Sequence, residues 1–133
     1  YKQNLRTTTS EVDFLLQVEP LGSQLVPMLQ QAGSRLVGEA KCYASAPKTE
    51  WVNEFRGILS THGANTGILF VASPSSPLRS DIRQSIALHA AQKFLVVPFG
   101  NTQLNRVLSG ESFIRVLMDQ CDLSATHSSA LSI

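Results

Sequence analysis

Val37-Gly38-Glu39-Ala40-Lys41-Cys42-Tyr43 is the stretch on which the reading of this chain turns. It has the length and composition of a strand, and successive side chains of a strand point to opposite faces. Glu39 and Lys41 therefore share one face, and Gly38, Ala40 and Cys42 line the other, which is small and apolar enough to pack. A carboxylate and an ammonium two positions apart fit two descriptions. One is an ion pair on a solvated surface. The other is half of a metal-dependent site that cleaves phosphodiesters, with the carboxylate holding the ion and the lysine addressing the attacking water or the phosphate. The triplet alone does not choose between them.

Working back toward the N-terminus, Glu11 to Glu19 alternates cleanly. Val12, Phe14, Leu16 and Val18 fall on one face, and Glu11, Asp13, Leu15, Gln17 and Glu19 on the other, which is the pattern of a half-buried strand. Pro20 and Gly22 end it, and Ser23 to Gly33, interrupted by Pro27, reads as a short helical or irregular connection. The strand of Asp13 and the strand of Glu39 then pair as antiparallel neighbours. Two carboxylates and a lysine converge from adjacent strands, a donor set suited to Mg²⁺, which prefers oxygen ligands and takes few carboxylates. Residues 1–10 are polar and show no helical period.

Downstream, Ser45-Ala46-Pro47 opens a helix, since proline is tolerated in a first turn. Trp51, Phe55, Ile58, Leu59 and His62 make its apolar face, and Gly63 stops it. Gly67 to Ala72 is a near-continuous apolar run, the mark of a strand covered on both faces. A loop at Ser73 to Pro77 leads to a second helix from Arg79 to Gln92, packed through Ile82, Ile86, His89 and Ala90. Phe94 to Phe99 is a further buried strand, followed by helical patterns at Thr102 to Leu108 and Ser112 to Leu123. Strands alternating with helices predict an α/β layer fold, a mixed central β-sheet flanked by helices. One domain is expected over residues 1–123, with Ser-rich residues 124–133 as a flexible tail.

The totals agree with a folded domain. The chain has 133 residues, 43% hydrophobic and 16% charged, enough to bury one core. A net charge of +1 excludes a global polyanion-binding field, so contact with nucleic acid would need a local patch or another domain. Cys42 and Cys121 are too few for a disulfide scaffold and lack metal-site spacing, which favours a reducing, cytoplasmic setting. No apolar run approaches the ~20 residues of a membrane span. The chain begins at Tyr1 without a methionine, as a piece of a larger protein would.

Asp13 followed by Glu39-x-Lys41 resembles the PD-(D/E)XK motif of the restriction-endonuclease-like nuclease superfamily. The ordered context, VGEAKCY, a helix containing EFRGIL, then GANTGILFVAS, is similar to its Mrr-like branch; the similarity covers roughly residues 6 to 118. The resemblance implies a restriction-endonuclease-like core and a Mg²⁺-dependent DNA endonuclease, with Mn²⁺ able to substitute. Asp13, Glu39 and the backbone carbonyl of Ala40 would hold the metal, and Lys41 would be the catalytic lysine. It further implies the cleavage module of a restriction or phage-defence protein, with DNA as partner and a homodimer or higher oligomer formed through other domains. A different class of function, a silent nuclease-fold module for nucleic-acid binding or assembly, has the same fold without turnover. Two departures from the family pattern stand out. Its first core helix would precede Asp13, where only twelve residues are present, and Val12 stands at the proline position.

Other polar residues have plainer readings. Glu11 is an exposed strand-end carboxylate or an additional ligand. Trp51 and Phe55 are core or interface aromatics, and Glu54 and Arg56 lie on the exposed side of their helix. Lys48, Arg79 and Arg83 are scattered surface charge or a phosphate-contacting rim. His62 and His89 are packed histidines, His127 belongs to the tail, and Cys42 is a buried thiol.

Overall fold

Two kinds of apolar pattern, alternating and near-continuous, meet in one sheet. The computed structural model describes residues 2–6, 11–17, 35–41, 46–72 and 77–133, with the side chains of 2–6, 11–14 and 16–17 outside that description. Strands β1 (Lys2–Arg6), β2 (Glu11–Gln17), β3 (Arg35–Lys41), β4 (Thr66–Val71) and β5 (Leu95–Phe99) stand in the order β1-β2-β3-β4-β5. β1, β2 and β3 pair antiparallel; β3, β4 and β5 are parallel. The alternating strand thus lies in the antiparallel part, and the continuous runs lie where helices cover both faces.

Helices α1 (Thr49–Thr61) and α2 (Ser80–Ala91) carry the chain between the parallel strands, and α3 (Asn101–Leu108) and α4 (Phe113–Thr126) follow β5. Two successive crossovers stepping the same way put α1 and α2 on one face. There Trp51, Val52, Phe55, Leu59, Ile82 and Ile86 pack on Val37, Leu69, Val71 and Val96. On the other face Val116, Leu117 and Cys121 of α4 cover Leu36, Ile68, Val97 and Phe99. The expected mixed α/β architecture is present, in three layers. The fold of the expected connection at 23–33, Val18, Cys42, Tyr43 and residues 73–76 lies outside the described residues.

Two helix ends are set by backbone conformation. Gly63, at φ +63°, closes α1, with Ala64 N–H donating to Leu59 O (2.9 Å). Lys93 does the same after α2 at φ +67°, with Phe94 N–H donating to His89 O (2.9 Å). A lysine in the left-handed region costs about 1–2 kcal/mol that a glycine would not.

Several expectations are corrected. Residues Lys2–Arg6, read from the sequence only as polar and without helical period, form an edge strand. Helix α1 begins at Thr49, after Pro47, with Lys48 extended at its N-cap. Ala40 is exposed while Gly38 is buried, so the small face of β3 is covered only in part. The segment 124–133, expected as a flexible tail, is packed: residues 124–126 extend α4, and Leu131 and Ile133 are buried. Its hold is polar as well as apolar. Gln103 and Gln120 Nε2 donate to Ser132 O (2.8 and 3.0 Å), Thr102 Oγ1 donates to Ile133 O (2.7 Å), and Ser132 bridges Pro77. Gln120 Nε2 also donates to Pro98 O (2.8 Å) on β5.

Helix α1 sits close to the sheet because Gly67 has no side chain. A Cβ there would lie 2.5 Å from Phe55 Cζ and 2.6 Å from Leu59 Cδ2, both fully buried. Gly67→Ala is therefore expected to cost about 1–3 kcal/mol by overpacking, read as a lower midpoint in urea denaturation.

Candidate active site

Glu39 and Lys41 occupy the last turn of the pleat on β3, at the carboxyl end of the parallel strands, where Lys41 pairs with Val71 of β4. Ligands of open α/β sheets enter at this end. Strand alternation, rather than any special turn, brings the two side chains together. Both follow Val37 on the α1/α2 face, two residues apart at each step, so the apolar floor under Val37 continues into a charged pair. The pair is tight: Lys41 Nζ lies 2.6 Å from Glu39 Oε1, with the side chains only 17% and 13% exposed.

The two carboxylate oxygens of Glu39 are not equivalent. Oε1 faces the ammonium, and Oε2 is buried with no hydrogen-bond partner among the described residues. Desolvating an ion pair costs more than an exposed pair returns, so this arrangement is poor value as a stability device. An orphaned buried carboxylate oxygen is the kind of group whose explanation is a ligand or an ion.

Asp13 lies on β2, whose register with β3 runs Gln17↔Arg35, Leu16↔Leu36, Leu15↔Val37 and Phe14↔Gly38. Asp13 is the next residue along β2 and Glu39 the next along β3, so the backbone sets the two motif positions side by side. The side chains of Asp13 and Glu11 lie outside the described residues. Among the described residues, no group of three or more His, Cys, Asp or Glu could hold a metal ion.

The neighbouring helix starts are tied together at the same end of the sheet. Thr49 Oγ1 donates to Asp81 Oδ2 (2.9 Å), and Arg79 reaches the same carboxylate through Nη2 (2.6 Å). The hydrogen bond from Arg79, then that from Thr49, holds the Asp81 carboxyl down at about 2. Arg79 is thus engaged within the chain, whereas Lys48 is exposed at the start of α1. Cys121 is buried against the other face, and burial, with Asp122 adding to it, pushes its thiol up to about 12, far from a reactive thiolate. A cleft of about 430 Å³ opens at the opposite end of the sheet, lined by Asn65, Thr66, Ala90, Lys93, Leu95 and Ala125. Among the described residues that line it there is no carboxylate and none of the motif residues.

No family model, curated protein or solved structure matches this chain.

One polar group escaped the sequence reading. Arg56, expected on the exposed side of α1, is partly buried, its guanidinium carbon 4.4 Å from the centre of the Phe94 ring. Asn53 Oδ1 accepts from Ser85 Oγ (2.9 Å) and lies 2.9 Å from His89 Nε2. The spacing signal was there, since Asn53 and Arg56 are three apart and Ser85 and His89 four apart, each pair on one helix face. Reading it required knowing that α1 and α2 are neighbours.

Burial, and secondarily the charge of Arg56, push the His89 imidazole below its ordinary value of 6.5. As pH falls past 6.5 the unfolded chain binds this proton before the folded chain does, so stability declines on the acid side and is untouched by this group above it. Urea melts from pH 7.5 to 5 are expected to show that decline, and His89→Gln to flatten it. For the charged pair, Lys41→Ala leaves Glu39 buried without its cation. The expected loss is about 1–3 kcal/mol by the same melts in EDTA, less than for a fully buried pair because both groups keep some contact with water.

Proposed function

We propose that this chain is a restriction-endonuclease-like domain that hydrolyses DNA phosphodiesters with Mg²⁺ at Asp13, Glu39 and Lys41, as the cleavage module of a larger defence protein. The observation that carries this reading is the split role of the Glu39 carboxylate: one oxygen on Lys41, the other buried and without a partner among the described residues. An oxygen left open beside a lysine fits a hard divalent ion, which prefers carboxylate and carbonyl oxygens. Asp13, level with Glu39 by register, and the Ala40 carbonyl between the two charged residues would complete the protein ligands.

When bound, Mg²⁺ supplies a water of lowered pKa and offsets negative charge on the phosphate. The remaining work falls to this chain. Lys41, held at Glu39 Oε1, is within reach of a water or phosphate oxygen placed at Glu39 Oε2, and its ammonium can donate to either. Water oxygen adds to phosphorus, the bond to the sugar oxygen breaks, and that oxygen leaves with a proton. The mixed sheet with helices on both faces, and the order of Glu-x-Lys strand, glycine-closed helix and apolar strand, support the same reading. With a net charge of +1, affinity for DNA would come from other domains or a second copy, and a double-strand break needs two such sites.

Plasmid and single-stranded DNA are the substrates for the test, with Mg²⁺, Mn²⁺ or EDTA. Nicking is expected with either metal, abolished by EDTA, and reduced by at least about 100-fold in Asp13→Ala and Lys41→Ala. Cleavage that survives both substitutions would sink the assignment.

A further inference from the structure

Where α1 and α2 pack together, two buried nitrogens lack partners among the described residues. Asn53 Oδ1 is only an acceptor, so the His89 nitrogen beside it, Nε2, carries the proton. Nδ1 is then the acceptor nitrogen of a neutral ring, and it is buried without a partner among the described residues. The Nε–H of Arg56 is likewise buried and without an acceptor. The two belong to one neighbourhood. Arg56 lies one turn beyond Asn53, the residue that contacts His89, and its guanidinium covers Phe94, whose N–H bonds the carbonyl of His89.

Arg56 is also prepared for a ligand. Stacking on Phe94 fixes the plane of the guanidinium, and a planar guanidinium is the group with which arginine grips an oxyanion through two parallel hydrogen bonds. Each ion pair between described residues belongs to another cation: Lys41, Arg79 or Arg106. Leaving a buried donor unmet costs about 1–3 kcal/mol, and here an acceptor and a donor are both unmet among the described residues.

We infer that this junction of α1 and α2 is a binding site for a phosphate oxyanion, anchored by Arg56 and bordered by His89. An anion seated on the guanidinium supplies the acceptor that Arg56 Nε lacks. Its charge also favours a proton on His89 Nδ1, which then donates to it, so one ligand meets both needs. Donors on two separate helices suit the several oxygens of a phosphate better than the two of a carboxylate. The phosphate could belong to a nucleic-acid backbone or to a free phosphate or nucleotide. His89 is an internal reporter, since burial and, after it, Arg56 depress its protonation, and a bound anion would offset the second of these. The site shares no residue with Asp13, Glu39 and Lys41, and its readout is binding, so either proposal can fail without the other.

The test is a proton NMR titration of His89 in the full chain, assigned with His89→Gln, in chloride, acetate, inorganic phosphate, or a short single-stranded oligonucleotide at matched ionic strength. Phosphate or oligonucleotide is expected to raise the His89 midpoint by about one pH unit. Response to the oligonucleotide alone identifies the backbone as the source, and response to phosphate identifies the free anion. Arg56→Gln should abolish the effect. Arg56→Lys, which keeps the stem and charge but loses the planar fork, should weaken binding about tenfold. A midpoint unmoved by both ligands, an equal response to acetate, or a response that persists in folded Arg56→Gln would overturn the site.

Discussion

The missing side chain at Gly67 sets the height at which α1 rests on the sheet, and much of the structure follows from that height. Phe55 and Leu59 fill the space a Cβ would take, so the helix lies low over β4. A low α1 brings Asn53 and Arg56 level with Ser85, His89 and Phe94, and its first turn within hydrogen-bonding distance of Asp81. Raising the helix by a methyl group would loosen each of these contacts together, because packed interiors transmit displacement instead of absorbing it.

Against that close-packed face, the Glu39–Lys41 pair is an interruption. Val37 belongs to the core, and the two next residues on its face are charged. Folding alone would favour apolar residues there, since replacing a buried ion pair with well-packed hydrophobes is often neutral or stabilising. The sheet nevertheless ends its central strand in charge, at the edge where parallel strands open to ligands. Local conflict with the rules of packing is what a functional site looks like in an otherwise consistent sequence.

What could be read directly from the sequence was local. Alternation located β2 and the Glu39/Lys41 face, and 3.6-residue spacing located α1, α2, α3 and α4 within a few residues. β1 escaped because Lys2–Arg6 has almost no apolar pattern of its own and is a strand through its partner β2. The C-terminal segment escaped for a related reason. Leu131 and Ile133 are two apolar residues among serines, and what buries them is the core with Leu78, Ile82, Ile86 and Val96, while α3, α4 and the distant Pro77 hold the backbone. At the site, the two-residue spacing of Glu39 and Lys41 carried its own geometry. The pairing of Arg56 with His89 exists only once two helices separated by residues 62–79 are laid side by side.

Pro98 gives the outer strand of the sheet a further property. β5 is an edge, and edges invite another chain to add a strand. Pro98 has no N–H to offer, and its carbonyl already accepts from Gln120. A foreign strand aligned there would lose a rung of its ladder at Pro98 and would have to displace a buried glutamine to gain another. That side of the molecule is protected against β-augmentation and aggregation by two residues, one removing a donor and one occupying an acceptor.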